Sequence, residues 1–306
     1  MRILRVEERK MLIKSLPTLN PKPKFRGSSE KPLLLSTYHP PLIFSNLSFT
    51  SLKCHYSKNE IADKPTKWFS ALPSVVPWET GSLWSTLAFY MFNLHIPLGY
   101  GGMSIIAYIL HQPVLDPQTQ ALSLFVLESL ELTGTFLLLR SILKPKHGLL
   151  NLYKASKLPK DRNWLLASAL GFTVLVFLVF LTSILADRLY GTKDVNNPVL
   201  KEMLLSSDVA KVACVLVYCI IAPLLEETVY RGFLLRSLAS RMNWQQAVAI
   251  SATIFSAAHF SGENFLQLFI IGCVLGCSYC WTCDLSSSIV IHSLYNALTL
   301  MMSLLS

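Results

Sequence analysis

The chain has 306 residues, 52% of them hydrophobic and 15% charged, with a positive mean hydropathy. That balance excludes an ordinary soluble domain and describes a polytopic membrane protein, an all-α bundle of apolar helices. The net charge of +9 does not mark a nucleic-acid surface, because residues 1–54 alone hold ten Lys/Arg against Glu7, Glu8 and Glu30, a net +7, which leaves +2 for everything that follows.

The N-terminal stretch, residues 1–54, is rich in Ser, Thr, Pro and basic residues and contains no apolar core of a secretory signal. It resembles a plastid transit peptide, a disordered targeting segment with Leu52-Lys53-Cys54 as a cleavage site. Glu7 and Glu8 fit that pattern poorly, and a start at Met11 would remove them. The other reading is a basic tail of a protein in a different membrane. A polar linker is expected over residues 55–81.

Taking about 20 apolar residues per membrane crossing, we expect seven spans, near residues 82–110, 119–143, 164–186, 208–230, 244–260, 264–282 and 285–304. The span at 164–186 has no charged residue up to Ala186. The first is interrupted by His95, Pro97 and Gly99-Tyr100-Gly101-Gly102, so the sequence leaves open one span or two short or kinked segments there. By the excess of Lys/Arg in the segment before the first span, the 144–162 loop and the loop with Arg236 and Arg241, these connections and the 283–285 turn should share the stromal or cytoplasmic side. Residues 82–204 read as accessory helices and 205–306 as the core.

Ionisable groups inside membrane spans are costly unless paired or facing a polar cavity, so their concentration marks a functional site. The fourth span turns polar after Pro223, which should kink it. Glu227 and Arg231 stand at i and i+4, placed for an ion pair that neutralises both. Glu226 lies about 100° around the helix from Glu227 and is left for other work. His259 ends the fifth span. His292 and Asn296, again at i and i+4, project from one face of the last. Read alone, the Glu226, Glu227 and Arg231 group is as compatible with a charge cluster at a helix end as with chemistry, and a lone histidine on an apolar helix is more often a satisfied core residue than a catalyst. Together, on three helices, they favour chemistry.

In this order Glu-Glu-x-x-x-Arg, Phe-x-x-x-His and His-x-x-x-Asn resemble the signature of the CPBP family, the type II CAAX prenyl endopeptidases and their Abi relatives, over residues 205–302. The resemblance implies an intramembrane endopeptidase acting on membrane-associated protein substrates. Glu226 would be the base that activates water together with His259. His292 and Asn296 would stabilise the oxyanion, and Glu227 with Arg231 would brace the site. Such chemistry needs a base, a proton donor for the leaving amine and donors aimed at the developing oxyanion. A metal-free mechanism is expected, with zinc on Glu226, His259 and His292 as the other option. A catalytically silent scaffold that binds and stabilises a plastid membrane protein is the second functional reading.

Two further features are expected to be structural. Cys273, Cys277, Cys280 and Cys283 would stretch along about 15 Å of helix, too far to surround one metal, and Gly272 and Gly276 form a Gly-x-x-x-Gly packing motif in the same segment. Glu128 and Glu131 in the second span are expected to line a cavity or to pair with another helix.

Overall fold

The computed structural model describes residues 69–145, 147–148, 152–153, 162–190 and 198–305. The expected transit peptide and most of the 55–81 linker lie outside the described residues. Among those described, every regular element is helical.

The first helix, α1, runs continuously over residues 83–109, with a π-helical stretch Tyr90–Gly101 between the α-helical segments Leu83–Phe89 and Gly102–Ile109. Pro97 sits inside it without breaking it. A wider π turn changes which carbonyl each amide faces, so the missing donor of a proline is absorbed there. The remaining helices are α2 (Pro117–Ile142), α3 (Trp164–Tyr190), the short α4 (Pro198–Ser206), α5 (Asp208–Ala239), α6 (Trp244–Ala257), α7 (Phe265–Thr282) and α8 (Leu285–Leu305). Asp116 caps α2, its carboxylate accepting the Thr119 N–H, with Pro117 at the first helical position, where its missing N–H costs nothing.

Five of these, α2, α3, α5, α7 and α8, are long and apolar enough to cross a membrane. They correspond to five of the seven expected spans. α6, at 14 residues, is shorter than the expected 244–260 span and packs along α7 and α5.

α3 leans on α7 and α8 through one stripe, Leu175 against Ile271, Leu275, Ile291 and Tyr295. Only 17% of its apolar window is buried, so Leu166, Leu170, Phe177 and Phe180 are left facing outward, as lipid contact requires. α5 is central: it meets α2 and α4 along its first half, α8 along its middle and α6 along its second half. Close approach between α6 and α7 depends on the two glycines. A Cβ on Gly272 would stand 2.8 Å from Ala252 Cβ, and one on Gly276 3.1 Å from Val248 Cγ1.

The basic connections gather at one end of the bundle. Arg162 donates to the carbonyls of Phe69 and Trp281, Ala71 N–H to Cys280, Lys144 N–H to Pro77 and Leu285 N–H to Tyr153, while Phe69 stacks on Trp244.

Candidate active site

Site construction begins with the irregular middle of α5. π-helical stretches at Val217–Ile221 and Thr228–Leu235 flank the α-helical turn Ala222–Glu227, which has Pro223 at its start. Side chains from neighbouring segments take up carbonyls in this region: Ser251 Oγ donates to the Tyr230 carbonyl, and Thr228 Oγ1 to that of Leu224. π insertions recur at functional sites because they rotate the side chains that follow.

Glu226 and Glu227 therefore face different neighbours. Glu227 Oε1 accepts from Arg231 Nη1 at 2.7 Å, with both side chains essentially inaccessible. Arg231 is further satisfied by the Gly272 carbonyl at 3.3 Å and by the face of Phe255, 4.5 Å from the guanidinium carbon. The ion pair expected from the i, i+4 spacing is present. Its acceptor oxygen also does something the spacing could not indicate: Nδ1 of His292, from α8, reaches the same Oε1 at 2.9 Å.

The two histidines are oriented by the partners of their Nδ1 atoms. Nδ1–H of His292 donates to Glu227, and Nδ1–H of His259 donates to the Phe255 carbonyl at 2.7 Å, one turn earlier in α6. In each case Nε2 is left to face the site. Both face one atom, Oε2 of Glu226, at 3.7 Å from His292 and 3.8 Å from His259. Those separations exceed a direct hydrogen bond. Phe255, the first residue of the Phe-x-x-x-His pattern, thus has three tasks: its carbonyl orients His259, its ring covers Arg231, and the same ring lies edge-on to both histidines.

Asn296 lies one turn beyond His292 on α8. Its Nδ2 donates to the Tyr218 carbonyl, in the first π stretch of α5, at 2.8 Å. Its Oδ1 is buried with no hydrogen-bond partner among the described residues. The structure thus brings Glu226, Glu227, Arg231, His259 and His292 into one contiguous cluster, and Asn296 ties the adjoining turn of α8 to α5.

A second buried network was only half legible. Glu131 pairs with another helix, as one of its expected readings had it: Oε1 is 2.8 Å from Nδ1 of His95 and accepts from Tyr90 O–H at 2.9 Å. His95 itself carried no motif. Glu128 is buried on the same helix, one turn earlier.

As placed, Glu226, His259 and His292 do not form a metal-holding set, and among the described residues no group of three or more His, Cys, Asp or Glu side chains does. Cys273, Cys277, Cys280 and Cys283 are free thiols. The two deepest of them, Cys280 and Cys283, sit among buried packing residues.

No curated protein and no solved structure matches the chain. Residues 208–298, the stretch that holds Glu226, Glu227, Arg231, His259, His292 and Asn296, match the family model of the Rce1-like type II CAAX prenyl endopeptidases, so this segment carries an Rce1-like domain.

Proposed function

We propose that the protein is an intramembrane endopeptidase hydrolysing peptide bonds of membrane-associated proteins. The observation that carries this reading is the convergence of Nε2 of His259 and Nε2 of His292 on Oε2 of Glu226, at 3.8 and 3.7 Å, in a site 1–5% exposed. A water bridging Glu226 and His259 spans such a separation. In the proposed reaction Glu226 takes a proton from that water as its oxygen adds to the scissile carbonyl carbon. The resulting oxyanion accepts from Nε2–H of His292 and from the Asn296 amide hydrogen not given to Tyr218. Collapse of the intermediate breaks the C–N bond, and the proton held between Glu226 and His259 passes to the leaving amine.

The oxyanion role asks for hydrogens on both nitrogens of His292. The Glu227 carboxylate, between His292 and Arg231, supplies the matching negative charge. With Glu226 ionised, the four groups sum to zero, which is the condition for keeping them in a membrane interior.

The mechanism is proposed to be metal-free. Residues 1–54 support delivery to a chloroplast membrane, with the protein as a plastid member of the family. The test is peptide-library cleavage by the detergent-solubilised protein, abolished in Glu226→Gln. A Glu226→Gln protein that rescues a loss-of-function mutant would instead favour the scaffold that binds and stabilises a membrane partner.

A further inference from the structure

The family-matched segment begins at residue 208, yet one of its proposed catalytic groups is held from outside it. α6 ends at Ala257, and the last carbonyls of a helix have no partner within it. The carbonyl of Ala258, the residue before His259, receives two donors from α1: Nε2 of His95 at 3.3 Å and Tyr100 O–H at 3.0 Å. The chain then turns sharply at Phe260, in the left-handed region at φ 49°, and the Phe260 ring lies edge-on against Tyr100. The turn bearing His259 is clamped on both sides by the π-helical stretch of α1.

His95 is held in turn. It is 2% exposed, its Nδ1 is 2.8 Å from Glu131 Oε1, and Tyr90 O–H donates to the same oxygen. Both ring nitrogens thus face acceptor groups. A carbonyl oxygen only accepts, so the contact with Ala258 makes Nε2 of His95 its donor. Two small residues permit this contact between α1 and α2. Gly134, one turn from Glu131, touches Leu94, and Gly102 touches Leu127; a Cβ at either would stand 2.8 Å or closer to the leucine.

We propose that His95, seated on Glu131, is a positioning residue of the peptidase site. With Tyr100 it holds the C-terminal carbonyl of α6 and so sets the ring of His259 against Glu226. This assignment rests on the endopeptidase reading, and it makes the accessory helices part of the active site's construction.

The test uses the full chain in detergent, with His95→Leu, His95→Gln, Glu131→Gln and Tyr100→Phe, and reads peptide turnover beside the ¹⁵N resonances of His259 assigned by its own substitution. His95→Leu should lower kcat by about 10- to 100-fold with little change in KM, the effect of a small misplacement, and should move the His259 resonances. His95→Gln, whose amide places a donor near the former Nε2, should restore a large part of both. Tyr100→Phe loses one hydroxyl while keeping the ring on Phe260, so it remains informative if the His95 variants fold poorly; a smaller fall in kcat of the same kind is expected. Wild-type kcat in the folded fraction of His95→Leu and Tyr100→Phe, or His259 resonances that do not move, would overturn the assignment. A wild-type protein that cleaves nothing would defeat the endopeptidase reading, while the His259 resonances would still decide the clamp.

Discussion

Nδ1 of His292 on α8 lies 2.9 Å from Oε1 of Glu227 on α5, the same oxygen that accepts from Arg231. One carboxylate therefore joins the charge balance of α5 to the orientation of a histidine 65 residues away. Glu227→Gln should leave Arg231 buried without its countercharge and give His292 only a neutral amide oxygen as its orienting acceptor. Breaking a buried pair from one side typically costs about 3–5 kcal/mol. Both membrane accumulation and turnover per folded molecule should fall, measured by quantitative immunoblot and peptide assay.

Phe255→Ala should be as damaging as a charge substitution, because the ring packs on Arg231, Tyr230, His259 and His292 at once. Large-to-small aromatic changes in a packed core cost about 3–5 kcal/mol. Phe255→Leu keeps much of the volume and the backbone carbonyl that orients His259, so its thermal unfolding in detergent should fall between wild type and alanine.

Gly272→Ala should separate α6 from α7. Its Cβ would meet Ala252 at both Cβ (2.8 Å) and Cα (3.0 Å), and a backbone neighbour cannot swing away. Overpacking of this kind costs about 1–3 kcal/mol, and the displaced Gly272 carbonyl would also move from Arg231. Gly276→Ala meets only side-chain carbons, at 3.1 Å and beyond, and should be milder in the same unfolding assay.

A strong chelator should leave turnover unchanged under the proposed Glu/His chemistry. Full loss, restored by added zinc, would assign the metal to Glu226, His259 and His292 and replace the water-activation step.

Much of the site was legible because its parts are local. The Glu227–Arg231 pair follows from helical spacing, the Gly272 and Gly276 contact from a four-residue repeat, and the grouping of Glu226, His259 and His292 from their density in apolar sequence. What spacing cannot carry is contact across helices. Glu227 to His292 and His95 to Glu131 span 65 and 36 residues, and nothing in either local sequence names the partner. Asn296 adds a contact of the same kind, one of its amide hydrogens going to the Tyr218 carbonyl of α5, 78 residues away. Pro97 sets a different limit: a proline and three glycines leave one span or two kinked segments open over 82–110, and a π-helical stretch carries α1 through them as one helix and places Tyr90, His95 and Tyr100 on the buried network.

The most direct test of the central claim is the turnover of Glu226→Gln compared with wild type at equal folded concentration. Glutamine keeps the shape of the side chain and an oxygen that accepts hydrogen bonds, and removes its charge and its ability to take the proton. A general base contributes about 10²- to 10⁴-fold to such a reaction, and a loss of at least that size is predicted in turnover per folded molecule. Unchanged turnover in Glu226→Gln would contradict the account.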